Sequence, residues 1–288
     1  PLIEKTYIPS RFKPVREGNL ISYGVPADEM GALCHELYFT HKLELITITA
    51  DDRRLSNGGF RVWYIFAVPK KNIFLAPYIT LTDTESFSSI TKDIHEASPY
   101  ERKIKTFFGL EPMGHPHPRP IILHENWPAD LFPLRKDFNW KERPRIANHE
   151  YIFNRVEGEG IYEIPVGPVH AGIIEPGHFR FSVAGEEIML LEAKLGYKHR
   201  GVEKLFEVLP LDQTVDLAEK VSGDTSFTHS LAFCQTMEIL SDLVVSKSSA
   251  YLRVIFSEME RLANHVNDIG FIMLDTGYSF GGSQGARL

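Results

Sequence analysis

The sequence predicts an α+β fold with an N-terminal α/β sandwich-type domain, a small antiparallel sheet and a helical bundle. Three alternating or β-branched segments between residues 43 and 81 predict the first sheet. Short strands on either side of a turn at Gly185 predict the second sheet. A sustained apolar stripe at helical spacing over residues 252–270 predicts the bundle.

The composition is ordinary for a globular chain and excludes several classes of function. The 288 residues suit about two domains, with 43% hydrophobic and 24% charged residues. A net charge of −7 argues against a nucleic-acid partner, and we find neither a signal peptide nor a membrane-spanning apolar run. The two cysteines, Cys34 and Cys234, are far apart in apolar surroundings, which predicts buried free thiols in a reducing compartment.

The N-terminal domain begins with one helix and three strands. Apolar residues recur on one face of residues 27–41, which predicts a helix. Residues 43–50 and 60–69 flank a turn signal at 57–59, so they are predicted to form a hairpin, with a third strand at 72–81.

A proline-rich segment, residues 112–145, follows this sheet. Proline is excluded from helix interiors, so an extended, packed segment is predicted. Its His115-Pro116-His117 sequence could be a metal site or an ordered loop where two subunits meet. Flanking prolines place the two imidazoles about a third of a turn apart, which favours the loop.

The composition changes near residue 146, and we place a boundary there between domains 1–145 and 146–288. Residues 161–170 and 178–196 are predicted to form short antiparallel strands. The polar loop 221–226 then runs into the apolar stretch 231–234, which predicts the capped start of a buried helix. Residues 247–249 are predicted to supply a serine N-cap for the final helix, whose stripe is most simply a bundle core.

Four motifs in the second half carry a family resemblance. They are GPVH (167–170), EPGHFRF (175–181), GYKHRGVEK (196–204) and SGDTSFTHSLAFCQTME (222–238). In this order they resemble the large subunit of membrane-bound, group 4, formate-hydrogenlyase-like nickel–iron hydrogenases. They are also similar to the homologous quinone-pocket subunit of respiratory complex I. The resembled subunits continue far beyond this point, so the helical bundle is expected to be truncated at the C-terminus.

The first half resembles the small peripheral-arm subunit that lies beside the quinone-pocket subunit in complex I. The motifs that carry this resemblance are Phe108-Gly109, Gly114-His115-Pro116 and PLRKDF at 133–138. The small subunit in that family has no cofactor, so the resemblance implies a docking role. The chain is therefore expected to be a fusion of the two adjacent subunits.

The resemblance also bears on metal chemistry. In the hydrogenases, a Cys-x-x-Cys pair that binds nickel occupies the position of the loop 222–225, where this chain has Ser222 and Thr225. Hydroxyls are poor ligands for soft metals. We therefore expect no nickel, no iron and no metal ligand in this chain, and Cys234 does not restore the motif.

Eight residues are implied as site residues. The resemblance makes Glu203 a proton relay, with His199, Arg200 and Asp224 beside it; general acid–base groups are often carboxylates at the edge of a cavity. A cofactor pocket is implied by the residues that line the same positions: His170, Ser222, Thr225 and His229. Alternatives remain, because Glu203 can be a solvated helix start and His229 a core histidine, while Ile174 stands where the quinone-pocket family has a histidine.

The function implied is that of a subunit of a membrane-associated, complex-I-like oxidoreductase that couples electron transfer to proton or ion translocation without a nickel–iron centre. Electrons are expected from the iron–sulfur cluster of a neighbouring small subunit, with a quinone or small molecule as a possible acceptor. Ion-translocating membrane subunits are the other expected partners, and the cytoplasmic side of the membrane is the expected location. The alternatives are a genuine nickel–iron hydrogenase and a structural adaptor of the hydrophilic arm.

Overall fold

The computed structural model describes residues 2–56, 58–170 and 175–288. Contacts between backbone positions divide the chain into two compact units, the first of which ends at His199 and the second of which begins at Arg200. Both helices and strands are present, which confirms the predicted α+β class.

The elements of the first unit, in chain order, are α1 Leu2–Tyr7, β1 Val15–Glu17, β2 Leu20–Gly24, α2 Met30–His35, β3 Glu44–Asp52, β4 Phe60–Val68, β5 Ile73–Leu81, β6 Ser86–Ser88, α3 Ser98–Phe108, β7 Glu111–Met113, β8 Ile161–Val166, β9 His178–Ala184 and β10 Glu187–Lys194. A π-helical turn over Glu36–Thr40 continues α2. Short parallel strands β6 and β7 pair with each other.

The main sheet has five strands in the order β1-β2-β5-β4-β3. The predicted hairpin is present, since β3 and β4 pair antiparallel, and β4 and β5 do so too. Alternate residues of β4 are buried, including Val62, Tyr64 and Phe66, because side chains alternate between the two faces of a strand. The predicted turn includes Asn57, which lies outside the described residues, while Gly59 follows with a positive φ.

Strands β1 and β2 were not predicted. Every residue of β1 is exposed, so it lacks the alternation that reveals a strand. The sequence signal of β2 is five residues long, and its pairing is a parallel one with β5, more than 50 residues away. Such a strand is stabilised by its partner rather than by its own pattern.

The predicted helix at 27–41 is present but begins at Met30, because residues 27–29 form a turn. Its buried residues are the predicted ones, Met30, Leu33 and Cys34, with Leu37 in the π-helical turn. The buried-thiol prediction is therefore right for Cys34, whereas Cys234 is only half-buried.

The proline-rich segment has no helix or strand between β7 and β8 within the described part of the chain, as predicted. It packs against the end of α3 through its PLRKDF motif, where Leu134 is buried and Arg135 Nε donates to the Phe108 carbonyl at 2.6 Å. The His115 ring is bonded at both nitrogens, with His117 N–H at 3.0 Å and Ser98 Oγ at 3.2 Å. This arrangement is an ordered loop at the start of α3 and leaves no lone pair for a metal.

The second sheet is antiparallel with the order β10-β9-β8, as predicted, and Gly185 turns between β9 and β10 with a positive φ. The carboxylate of Glu192 accepts hydrogen bonds from Asn154 N and Nδ2, both at 2.8 Å. Gly196 follows β10 with φ +93°, and a Cβ there would lie 2.1 Å from the Ile122 carbonyl oxygen. The sheet thus packs on the proline-rich segment, and the compact unit ends at 199 rather than at 146. The predicted domain boundary stays a prediction.

The second unit is helical, with α4 Val202–Val208, α5 Leu211–Glu219, α6 Ser226–Leu240, α7 Lys247–Asp275 and α8 Ser279–Arg287. Two predictions for it were wrong. The N-cap of α7 is Ser246, whose side chain accepts from Ser249 N at 3.1 Å, so residues 247–249 are already helical. The apolar stripe on α7 is largely exposed in the described chain, and Gly270 is its one buried residue.

Candidate functional site

The loop 222–225 lies between helices α5 and α6. Ser222 has an extended backbone, Gly223–Thr225 form a 3₁₀ turn, and α6 begins at Ser226. The predicted helix start is therefore confirmed. The prediction that its apolar stretch is buried was wrong, because residues 231–234 are half-buried or exposed in the described structure.

Two side chains from outside bind one carbonyl group of the loop and one of the residue just before it. Arg200 Nη2 donates to the Val221 carbonyl at 3.0 Å. Asn264 Nδ2, from α7, donates to the Asp224 carbonyl at 2.7 Å. Because both donors bind backbone oxygens, the path of the loop is fixed whichever side chains it carries.

The start of α6 is capped by a residue of another helix. Thr225, the residue at the N-cap position, makes no side-chain capping bond within the described structure. Instead the Glu260 carboxylate, from α7, accepts from Phe227 N at 2.7 Å, Thr228 N at 3.2 Å and Thr228 Oγ1 at 2.7 Å. Partial burial opposes ionisation of Glu260, but these hydrogen bonds outweigh it and lower its pKa. An ionised carboxylate is also favoured there by the dipole of α6.

His229 faces the loop from the first turn of α6. Its Nδ1 lies 2.9 Å from both the Thr225 carbonyl oxygen and Thr225 Oγ1. A carbonyl can only accept, so the hydrogen-bond pattern assigns the proton to Nδ1 and leaves Nε2 as the acceptor of the neutral ring. His229 Nε2 can therefore accept a hydrogen bond from a donor group of a ligand, in an orientation fixed by the ring.

Glu203 and Arg200 flank the start of α4. Gly201 has φ +65°, and this left-handed residue turns the chain into the helix. Glu203 lies in the first turn, where a negative charge interacts favourably with the helix dipole. Both the solvated-helix-start and the relay interpretations are compatible with this position. Lys204, one residue later, is buried and pairs with Glu207 at 3.1 Å.

The remaining two predicted site residues belong to the first unit. The His199 ring packs edge-on against Phe107, with centroids 5.3 Å apart. The His170 ring lies 6.4 Å from that of Phe179. The roles expected of His170 and His199 stay predictions.

One loop gathers five of the eight predicted residues, all of them in the second unit: Arg200, Ser222, Asp224, Thr225 and His229. Ile174, the basis of the argument against a quinone, lies outside the described residues. The site that the structure supports is therefore the loop 222–225 with the side chains that hold it.

Sequence reasoning missed Glu260 and Asn264, which hold the loop. Both lie on α7, four residues apart, and so share one face of that helix. Both are polar residues on a helix with an apolar stripe, and nothing in the sequence indicates which segment they contact.

The donor set around the loop does not suit nickel or iron. Ser222 and Thr225 offer neutral hydroxyls, and Thr225 Oγ1 is already hydrogen-bonded to His229. Soft metals prefer thiolates. Cys234 lies nine residues beyond Thr225, about 13 Å along α6 at 1.5 Å per residue. The chemistry of these donors disagrees with a nickel–iron centre at this loop.

Comparison with known proteins tests the resemblance. Residues 23–144 match the family "Respiratory-chain NADH dehydrogenase, 30 Kd subunit". The predicted resemblance is confirmed. These residues include the five-stranded sheet except β1 and part of β2, and we refer to them as the 30 Kd-subunit domain after the family that they resemble.

Curated relatives extend the similarity across both units. "Hydrogenase-4 component G" of Escherichia coli is 33% identical over 84% of this chain and 45% of its own length. "Formate hydrogenlyase subunit 5" of the same organism is 31% identical over 88% of this chain and 46% of its own length. The C/D subunit of the NADH-quinone oxidoreductase of Phocaeicola vulgatus is 29% identical over 72% of this chain and 43% of its own length.

The chain thus spans about half the length of the curated relatives that it matches. By their names, these relatives are subunits or components of hydrogenase and NADH-quinone oxidoreductase complexes. The alignments with the two Escherichia coli relatives cover 84% and 88% of this chain and therefore include residues of both units. In the described part of this chain, none of the helices is long and apolar enough to cross a membrane.

Proposed function

We propose that this chain is part of a subunit of a membrane-associated oxidoreductase related to complex I and to energy-converting hydrogenases, and that it works without a nickel–iron centre. The relatives named above support the class of complex. The observation that carries the metal-free assignment is the loop 222–225, which keeps a fixed backbone at a helix start while its side chains offer hydroxyls instead of thiolates.

In this proposal the two units have different roles. The 30 Kd-subunit domain docks the neighbouring iron–sulfur small subunit, whose cluster supplies electrons. The loop 222–225, with His229, borders the pocket of a small-molecule or quinone acceptor. Glu203 and Asp224 pass protons towards ion-translocating membrane subunits, while the Arg200 guanidinium, which stays protonated, binds the Val221 carbonyl. The assembly lies on the cytoplasmic side of the membrane as a peripheral arm.

The fixed tautomer of His229 supports the pocket assignment. Its Nε2 is an acceptor in the neutral ring, so it can receive a hydrogen bond from a reduced, hydroxyl-bearing acceptor. The Thr225 hydroxyl, beside Nδ1, holds that ring in place. The role of His229 is thus to bind and orient, while proton transfer falls to Glu203.

The test is made on the full-length protein in its assembled complex. Nickel and iron are measured by mass spectrometry after purification, and hydrogen evolution is compared with electron transfer to an added quinone. We expect substoichiometric nickel and no hydrogen evolution. Stoichiometric nickel with hydrogen evolution would establish the hydrogenase alternative.

The relay is tested separately with Glu203→Gln. The matched control is Glu219→Gln, which changes an exposed glutamate of α5. We expect Glu203→Gln to lower both turnover and ion translocation at least about a hundredfold, the lower end of the range for a lost general acid–base group. The control should leave both unchanged. Unimpaired translocation in assembled Glu203→Gln complex would contradict the relay, and a correctly assembled complex without any turnover in the wild type would favour the structural-adaptor alternative.

A further inference from the structure

A row of positive charges runs along the end of the proline-rich segment. Residues 135–145 contain five basic and two acidic residues, a net charge of +3 in a chain whose net charge is −7. Three of the basic residues, Lys141, Arg143 and Arg145, alternate in sequence, and all three are exposed. We call these three residues the basic row.

The charges of the basic row are not used inside the first unit. Within the described chain, none of the three forms an ion pair; Lys141 Nζ lies 5.7 Å from the centre of the Trp140 ring. The neighbouring acid, Glu142, is engaged by Asn139 Nδ2 at 2.6 Å. By contrast, Arg135 and Arg54 nearby bind carboxylates at 2.7 Å. The basic row is therefore available to a partner.

The backbone there is suited to pairing with an extended chain. Residues 143–150 are in no helix or strand, and Arg143 precedes Pro144, which restricts it to extended conformations. Arg143 and Arg145 are two residues apart in this segment, and side chains two residues apart on an extended chain point to the same side, about 6.6 Å apart. Lys141 lies just before the segment, in a turn where Glu142 N donates to the Asn139 carbonyl at 3.2 Å. Carboxylates at alternate positions of an extended segment have the same spacing.

Two cavities that share three lining residues lie where the basic row ends. The next residues, 146–151, line an open polar cleft of about 540 Å³ together with His124, Lys194 and Tyr197. His124, Glu125 and His149 also border a second cavity of about 420 Å³, the apolar pocket. A chain lying along the basic row can therefore reach the apolar pocket through a shared rim.

The apolar pocket is preformed. Trp127 and Phe132 form its aromatic walls, and Trp127 Nε1 donates to the Leu131 carbonyl at 2.7 Å. The wall charges Lys105 and Glu111 pair with each other at 2.9 Å, so they are not left to a ligand. Such a site suits an uncharged anchor side chain, whose burial costs little reorganisation.

We infer that this face of the first unit binds an extended acidic segment of a partner protein, with alternate carboxylates on the basic row and an apolar anchor in the apolar pocket. A single row of three cations fits one strand of carboxylates. An anionic membrane would instead meet the whole face of a chain whose net charge is negative, and long-range repulsion opposes that approach.

The probe is a fluorescein-labelled peptide of alternating glutamate and valine with a phenylalanine at each end, titrated against the full chain and followed by fluorescence anisotropy. At 50 mM salt we expect the triple substitution Lys141→Gln, Arg143→Gln and Arg145→Gln to weaken binding roughly tenfold, the sum of three exposed ion pairs. The matched control removes three other exposed lysine charges, with Lys13→Gln, Lys70→Gln and Lys71→Gln, and should change binding less than about twofold.

The anchor is tested with a second peptide that has alanine at both ends. The wild type should bind it at least about fivefold more weakly, since a buried phenylalanine side chain contributes more than this. Ala129→Trp, which fills the apolar pocket, should abolish the difference between the two peptides. Equal binding of both peptides by the wild type would show that the apolar pocket does not bind an anchor side chain.

Two other outcomes would overturn the inference as a whole. The first is no binding of the peptide at 50 mM salt, in which case binding of phosphatidylglycerol vesicles through the basic row would identify a membrane as the partner. The second is an equal loss of peptide binding in the control variant. Neither of them depends on the electron-transfer role proposed for the second unit, because the peptide assay uses no turnover.

Discussion

At the scale of single residues, Asp52 ties the proline-rich segment to the main sheet. Its buried carboxylate accepts from the Arg54 guanidinium at 2.7 and 2.9 Å and from Lys136 N at 2.9 Å. Burial opposes ionisation of Asp52, but these hydrogen bonds and the charge of Arg54 outweigh it and lower its pKa to about 2. The ionised form is therefore favoured by folding.

The sign of the pH dependence follows from this lowered pKa. The contribution of Asp52 is fully present above about pH 4, the range of the unfolded group, and is lost as the pH falls towards about 2. We expect Asp52→Asn to remove about 2 kcal/mol of unfolding free energy at neutral pH and to flatten its decline between pH 4 and 2. Urea unfolding at several pH values measures both effects, with Asp130→Asn, an exposed residue, as the control. An unchanged pH slope in Asp52→Asn would contradict the prediction.

Tyr64 presents the opposite case, a polar atom whose removal should be harmless. Its ring is fully buried, and its hydroxyl has no hydrogen-bond partner within the described chain. Burial also raises its pKa, so the hydroxyl stays neutral. Tyr64→Phe should leave the unfolding free energy unchanged or raise it by up to about 1 kcal/mol, because an unsatisfied buried hydroxyl is costly.

The matched comparison for Tyr64 is Glu101, which is equally buried but whose carboxylate is hydrogen-bonded. It accepts from Ile90 N at 2.8 Å and Thr91 Oγ1 at 2.7 Å, and Ser89 Oγ binds it as well. Glu101→Ala should cost at least about 2 kcal/mol, because several buried donors lose their acceptor. Chemical denaturation measures the unfolding free energy of both variants. A larger loss for Tyr64→Phe than for Glu101→Ala would show that this distinction is wrong.

These residues also mark the limit of what the sequence could reveal about single positions. The donors to Glu260 lie more than 30 residues before it, and Asp52 meets Lys136 across 84 residues. Composition and spacing identify which residue types can do chemistry, whereas the family resemblance pointed to His229 and the loop 222–225. They contain no information on which distant carboxylate will receive a particular amide.

At the scale of elements, Glu260 makes the start of α6 dependent on α7. Glu260→Ala removes the acceptor of two backbone amides, those of Phe227 and Thr228. Loss of a cap costs about 1 kcal/mol, so we expect both amides to exchange roughly fivefold faster with solvent deuterium. Glu258→Ala on the same helix is the control, since its carboxylate pairs only weakly with Arg261 at 3.3 Å. Unchanged exchange at Phe227 in Glu260→Ala would contradict a capping role.

Helices α7 and α8 approach closely because both carry glycine at their crossing. A Cβ at Gly285 would lie 2.6 Å from the Gly270 Cα and 2.9 Å from the Val266 carbonyl oxygen. Gly285→Ala should therefore cost about 1–3 kcal/mol by separating the helices, despite the better helix propensity of alanine. Gly31→Ala in α2, where no atom lies within 4 Å of the added Cβ, should be neutral or slightly stabilising. Thermal unfolding followed by circular dichroism distinguishes the two.

Helices and strands were predictable where the local sequence has a clear hydrophobic pattern. Strands β3, β4 and β5 have long alternating or β-branched segments, and they were predicted to within a few residues. The glycine-rich helix α8 has low intrinsic propensity and was not predicted, because it forms through its close contact with α7. The burial of an element was harder to predict than its type, as the exposed stripe of α7 shows.

At the scale of the molecule, long-range contacts determined where the first compact unit ends. The shift in composition near residue 146 suggested a boundary, and the 30 Kd-subunit match ends close to it, at residue 144. The compact unit nevertheless extends to His199, since Lys194 binds Glu125 at 2.9 Å and Glu192 binds Asn154. A local change of composition cannot reveal such pairings, which join residues far apart in the sequence.

The surface of the second unit predicts how the chain behaves in solution. Val254, Leu262 and Ile272 on α7 are each at least 60% exposed, while the chain carries a net charge of −7. Apolar side chains on one helix promote self-association, and the like charges oppose it until salt screens them. We expect the mean mass in sedimentation equilibrium to rise between about 50 mM and about 500 mM salt.

The control for this association is the triple substitution Val254→Ser, Leu262→Ser and Ile272→Ser. It should suppress the rise in mass without lowering the melting temperature by more than a few degrees, because these exposed side chains lose little contact inside the chain. A wild-type chain that stays monomeric at the higher salt concentration would show that the exposed apolar side chains of α7 do not drive association.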